Sequence, residues 1–177
     1  MTDDVVIRPA TPADLPDIQR IYGHHVTTGF ASFEEVAPDL AEMTRRYTAI
    51  VEAGFPYLVA EAGGRVVGYT YCGSYRPRPA YRYSVENSVY LAPESARKGI
   101  GRMLLSALIE RATALGKRQM VAVIGDSANN ASIGLHTALG FRMVGVIEGA
   151  GFKHGRWVDS VLMQRALGPG LSQPPDA

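Results

Sequence analysis

The stretch Ser88–Leu105, SVYLAPESARKGIGRMLL, decides how this chain is read. Ser88 to Leu91 is the end of an apolar strand. A Pro-containing connection follows, and the basic glycine loop Arg97-Lys98-Gly99-Ile100-Gly101 then runs straight into an amphipathic helix. Unpaired N–H groups at a helix start, together with the helix dipole, make such a junction an anion site. Gly99 and Gly101 lack a Cβ, so a phosphate can come close to the main chain, and Arg97, Lys98 and Arg102 add positive charge around it. The loop matches neither G-x-x-x-x-G-K-[ST] nor G-x-G-x-x-G. Alone it reads equally well as a helix entry with solvated basic residues, so the flanking chain has to decide.

On the C-terminal side, Ile100, Met103, Leu104, Ala107, Leu108, Ala112 and Leu115 keep helical spacing up to Gly116, and Arg118–Gly125 is an apolar strand. Strand, helix, strand in this order predicts a right-handed crossover between parallel neighbours. On the N-terminal side, Tyr81–Leu91 reads as one long strand whose alternation puts Glu86 on the face opposite Val85. A carboxylate there is costly unless it is paired, hydrated or used. Ser74–Ala80, with two prolines, is a loop, and Tyr57–Glu61 with Arg65–Tyr71 forms a hairpin around Gly63-Gly64.

The remaining segments complete the order. Val5–Ile7 is a short strand; Thr11 caps a helix with Leu15, Ile18, Ile21 and Tyr22 on one stripe; Asp39–Ala53 is a second helix stopped by Gly54 and Pro56. After the polar turn Asp126–Asn130 come a short helix, Ala131–Leu139, and two closing strands, Phe141–Ile147 and Arg156–Gln164. The sum, β-α-α-β-β-β-α-β-α-β-β, predicts a mixed α/β fold with one parallel crossover. A single domain over residues 1–167 is expected, followed by a disordered Pro/Gly/Ser tail, Gly168–Ala177.

Composition narrows the function classes. A formal net charge of +1 over 177 residues argues against a general polyanion binder, so neither nucleic acid nor a membrane surface is an expected partner. The lone Cys72 excludes an internal disulfide and a multi-cysteine zinc site, and reads as a buried small residue. Adjacent His24 and His25 point to different faces, which disfavours a metal pair. The acidic start Met1-Thr2-Asp3-Asp4 has neither signal-peptide nor membrane-span character, so a cytoplasmic location is expected. Phe30 and Phe33, in the aperiodic segment Thr27–Val36, are either core anchors or pocket walls.

The A-R-K-G-I-G loop with its flanking strand and helix, followed by N-N-A-S-I-G-L-H-T-A-L-G-F, resembles the GNAT superfamily of N-acetyltransferases over most of the chain. The family's loop motif is [QR]-x-x-G-x-[GA]; Ala96 stands at its first position, with Arg97 next to it. V-E-N-S-V-Y (Val85–Tyr90), S-I-G-L-H-T-A-L-G-F (Ser132–Phe141) and G-F-K-H-G-R-W-V-D (Gly151–Asp159) resemble, more narrowly, the phosphinothricin and methionine sulfone/sulfoximine acetyltransferases. The resemblance implies a mostly antiparallel sheet with helices on both faces. It also implies acetyl-coenzyme A as co-substrate, no metal, and direct transfer to the α-amine of a small amino-acid analogue. Main-chain groups of Val89 and Leu91 would pair with the pantetheine, and the pyrophosphate would rest on N–H groups from Arg97 to Arg102, through Lys98, Gly99, Ile100 and Gly101.

Acetyl transfer requires a neutral amine. For a lysine-like amine of pKa about 10.4, neutralisation near pH 7 costs roughly 4–5 kcal/mol. Glu86 is the candidate base, directly or through water; the alternative is a carboxylate paired with Arg82. A main-chain N–H near Tyr90 would meet the oxyanion. His136, where the family often has Tyr, is read as an acid, a thiol contact or a packed core histidine. Asn129 would bond the pantetheine or cap the Ala131 helix, and Ser132 lies one turn from His136. Arg76 and Arg82 suit an acceptor carboxylate, while Phe33 and Tyr75 would wall its pocket. Lys153, Arg156, Trp157 and Asp159 resemble the family's dimer-side motif, so a homodimer is expected. The competing functions are a protein or peptide N-acetyltransferase, and a non-catalytic acyl-coenzyme A-binding module.

Overall fold

The computed structural model of the protein describes residues 5–175, so the acidic Met1–Asp4 start and the last two tail positions lie outside it. The strands are β1 (Val6–Pro9), β2 (Tyr57–Ala62), β3 (Arg65–Ser74), β4 (Ser84–Leu91), β5 (Gln119–Gly125), β6 (Arg142–Lys153) and β7 (Arg156–Ala166). The helices are α1 (Leu15–Thr28), α2 (Leu40–Glu52), α3 (Ile100–Ala114) and α4 (Asn130–Ala138). This is the predicted order. The strands form one seven-stranded sheet, β1-β2-β3-β4-β5-β7-β6, antiparallel throughout except for the β4–β5 pair.

Around β2–β4 side chains pack on both faces of the sheet, and strand alternation assigns them to one face or the other. Tyr57 and Val59 of β2 pack with α1 and α2 residues such as Ile18, Ile21 and Met43, whereas their neighbours Leu58 and Ala60 pack with Ile100 and Leu104 of α3. In β4, Val85, Val89 and Leu91 face the α3 side and Tyr90 faces the α1–α2 side. The local start signals act as read: Thr11 and Asp14 form a capping box, and Asp39 accepts from the Glu42 N–H.

The boundaries differ in places that matter. β4 begins at Ser84 rather than Tyr81, because Pro79–Tyr81 winds into a 3₁₀ turn. β6 runs to Lys153, six residues beyond the predicted Ile147; register shifts between Met143 and Gly145 and between Ile147 and Gly151 absorb a glycine-rich stretch with weak strand propensity. The described part of the tail does not lie free. Buried Arg118 donates to the carbonyls of Gly170, Gln173 and Pro174, which draws residues 168–175 back onto the body in turns.

Candidate active site

β4 and β5 are hydrogen-bonded in register only from Ser84–Gln119 to Asn87–Ala122. Beyond that rung they separate, and the gap is a cavity of about 270 Å³. Val89, Leu91, Ile124, Gly101, Leu135 and His136 are among its walls. The main chain of β4 faces this gap in a definite way. The Ala92 N–H donates to Val67 of β3, so by two-residue alternation Tyr90 also pairs with β3, while the N–H and C=O of Val89 and Leu91 turn toward the opening. The N–H groups open to a ligand are therefore those of Val89 and Leu91, and Tyr90 is among the residues that line both cavities.

At the mouth of the gap, Gly99 adopts φ 77° as the N-cap of α3 with no side-chain cap. The left-handed conformation favours glycine there, and the first-turn N–H groups of Ile100, Gly101 and Arg102 have no intrahelical partner. A Cβ on buried Gly101 would press on Leu135 at 3.3 Å and Leu91 at 3.5 Å, so glycine keeps the gap open. Arg97, Lys98 and Arg102 are exposed and take no part in the ion pairs among the described residues. A free strand edge leading from uncapped helix N–H groups in a basic setting suits an extended ligand carrying phosphates.

A second cavity of about 260 Å³ lies across the same opening and shares Ser88, Tyr90, Val123 and Gly125 with the first. Glu86 and Phe33 line it. Burial pushes the Glu86 carboxyl above its ordinary range, and Arg76 partly offsets this. Glu86 is not paired with Arg82, whose guanidinium bonds Pro79 O and lies over the Tyr83 ring. Tyr75, Arg76 and Arg82 do not line either cavity. They belong to the exposed 75–83 segment, where Tyr75 packs against Tyr81 and carries Arg76 on its face. Of the predicted acceptor residues, the fold brings together Glu86 and Phe33 and leaves the other three outside both linings.

His136 is 2% exposed. Its Nδ1 lies 2.8 Å from Ser132 O, which only accepts, so Nδ1 carries the proton and Nε2 accepts from Asn87 Nδ2 at 3.0 Å. Burial lowers its pKa, and the hydrogen bond to the Ser132 carbonyl partly offsets this. With Phe141 edge-on at 4.9 Å, the ring is packed into the cavity wall. Asn129 does cap α4, accepting from the Ser132 N–H, and it also lines the first cavity with Ser132.

Sequence reading missed three contributors. His25 reaches from α1 to donate through Nε2 to Leu91 O at 2.8 Å, closing one side of the gap. Lys153, only 3% exposed, donates to Ser32 O at 2.7 Å and fixes the 29–39 loop over the second cavity. Burial depresses the Lys153 pKa, while Glu35 and Glu34 pull it back up. Gly125 lets that loop approach: a Cβ there would sit 2.0 Å from Phe30 O. Within the chain, Lys153 and Arg156 of the motif resembling a dimer side hold the loop at the site. Arg156 lies over the Phe30 ring and pairs with Asp126, and Asp159 accepts from Ser127 and Gly149; Arg156 and Trp157 are exposed, Trp157 at 68%.

The acetyltransferase (GNAT) domain model matches residues 7–162. The chain belongs to the GNAT acetyltransferases. The domain is 52% identical to a phosphinothricin N-acetyltransferase of Alcaligenes faecalis, with 96% of this chain and 86% of the relative covered. It is 46% identical to an L-methionine sulfoximine/L-methionine sulfone acetyltransferase of Pseudomonas paraeruginosa, covering 95% and 98%. Among solved structures, a GNAT superfamily phosphinothricin acetyltransferase from Sinorhizobium meliloti in complex with AcCoA is 49% identical, with a TM-score of 0.95 over 99% of this GNAT chain and 94% of the other. Among the described residues, no helix is long and apolar enough to cross a membrane and no cluster of His, Cys, Asp and Glu could hold a metal.

Proposed function

We propose that this GNAT enzyme transfers the acetyl group of acetyl-coenzyme A to the α-amine of a small amino-acid analogue of the methionine sulfone, methionine sulfoximine or phosphinothricin type. The observation that carries the reading is the pair of cavities meeting across the β4–β5 split, with Glu86 in one and a free strand edge in the other. The relatives' names supply the acceptor class.

Coenzyme A supplies an activated thioester; the chain supplies position and proton transfer. The Ile100, Gly101 and Arg102 N–H groups hold the pyrophosphate, with Arg97, Lys98 and Arg102 adding charge and Gly99 setting the turn. Val89 and Leu91 pair with the pantetheine arm, which Asn129 and Ser132 flank, while the Tyr90 ring separates it from the acceptor side. The Val89 N–H is the donor placed to meet an oxyanion. Glu86 removes the ammonium proton, directly or through water, and its raised pKa makes it a better base than an exposed carboxylate. His136 serves as wall and thiol contact. Phe33 covers the acceptor, and Arg76 is the rim cation nearest in effect to Glu86, with Arg82 and Tyr75 shaping the entrance.

The same proposal includes one domain over residues 1–167, a cytoplasmic location where the free Cys72 stays reduced, and a homodimer. Exposed Met143, Val144, Val146, Ile147, Phe152 and Trp157 on the outer hairpin favour the dimer. Light scattering of the full chain checks it: a monomer at micromolar concentration removes that part.

The deciding experiment follows thiol release from acetyl-coenzyme A with methionine sulfone, methionine sulfoximine, phosphinothricin, lysine and short peptides. Turnover with the first three supports the proposal. Turnover with peptides alone replaces it with a protein N-acetyltransferase, and binding of acetyl-coenzyme A without any turnover replaces it with an acyl-coenzyme A sensor.

A further inference from the structure

Asn87 is the last residue of β4 in register with β5, opposite Ala122, and the donor cavity starts at that rung. Its side chain is 5% exposed, gives Nδ2 to His136, and leaves Oδ1 as the one buried side-chain oxygen without a hydrogen-bond partner among the described residues. An orphaned buried acceptor costs stability, so an amide at this place calls for a reason. His136 behind it is fixed by Ser132 and Phe141. Below the rung, Val85, Met120, Leu105 and Leu108 fill the core. The cavity therefore ends on a rigid polar floor.

On the proposed function, on which this inference rests, the phosphates sit at α3 and the coenzyme arm follows β4 from Leu91 back toward Asn87. The acyl end is then the part that meets the floor. We infer that Asn87, held in place by His136, sets acyl-chain length and restricts the donor to acetyl-coenzyme A. A longer acyl group would have to displace a hydrogen-bonded amide backed by close-packed side chains. Glu86, the adjacent residue on β4, points to the other face and reads only the acceptor.

The test uses Asn87→Ala, which removes the floor, and Asn87→Leu, which keeps its bulk. S-ethyl-, S-propyl- and S-butyl-coenzyme A, unreactive thioethers, are titrated calorimetrically, and kcat/KM is compared for acetyl-, propionyl- and butyryl-coenzyme A. Wild type should weaken steadily with chain length. Asn87→Ala should shift the long-to-short ratio by roughly tenfold or more, the scale of one methylene in a fitted pocket, while Asn87→Leu should hold the wild-type ratio. If Asn87→Ala fails to fold, Asn87→Ser, smaller and able to donate to His136, carries the same expectation. An unchanged ratio in the small variants overturns the inference, as does equal broadening in Asn87→Leu. Wild type that binds none of these ligands overturns the acetyl-coenzyme A reading itself; wild type that binds all of them equally overturns only the floor.

Discussion

The two faces of β4 are built in different ways. Toward α3 and α4 the site is made mostly of main chain: the open Val89 groups and Leu91 N–H, the uncapped start of α3, and glycine where a side chain would intrude. Toward α1 and α2 it is made of side chains held by long-range contacts: Glu86, Phe33, and a loop fixed by Lys153, by Arg46 on Glu34, and by Tyr22 bonded to Ser32 and Glu34. A backbone-built face suits a donor that never changes. A side-chain-built face lets the acceptor change without disturbing donor binding.

The largest expected break in that comparison is Glu86→Gln. It should lower kcat at neutral pH by about 10²–10⁴ and leave the KM for acetyl-coenzyme A within about twofold, since only the acceptor face is touched. The pH profile gives the sign. The base works unprotonated, so wild-type kcat falls as pH drops through the Glu86 pKa, which burial places above the usual carboxylate range. That limb should vanish in the variant; its persistence would assign the base elsewhere.

Gly125→Ala comes next, because Gly125 lines both cavities. The added Cβ must push the Phe30 backbone aside, which should cost about 1–3 kcal/mol of stability in denaturant titration. The acceptor KM should rise more than the acetyl-coenzyme A KM; equal rises would mean that the faces are not separable. The smallest effect belongs to Lys98→Ala or Arg97→Ala. Each should lose about 0.3–1 kcal/mol of acetyl-coenzyme A binding, a loss that fades at high salt and leaves the acceptor KM alone.

The order of elements was legible because helical and strand periods are local properties: the α3 stripe and the β4 alternation need no knowledge of their neighbours. Glu86 could be singled out for the same reason. Asn87 could not, since its meaning depends on where β5 departs and on a histidine 49 residues away. His25 and Lys153 have partners 66 and 121 residues distant, and no spacing rule connects them. The extension of β6 was hidden by its glycines and bulges, and the fastening of the tail by a single arginine. Nearness in sequence groups Tyr75, Arg76 and Arg82 with the site, whereas in space the segment with the Pro79 turn lies outside both cavity linings.

The Lys153–Ser32 bond also has a consequence for the order of synthesis. The residues that line the donor gap end at His136, so, apart from the Phe141 ring packed behind that histidine, its walls are available once α4 has left the ribosome. The loop over Glu86 is held early by Arg46 and Tyr22, but its last fastening waits until Lys153 has been made and β6 has folded back toward the N-terminal third. A chain stalled between those points would have its coenzyme cleft while its acceptor chamber was only partly latched.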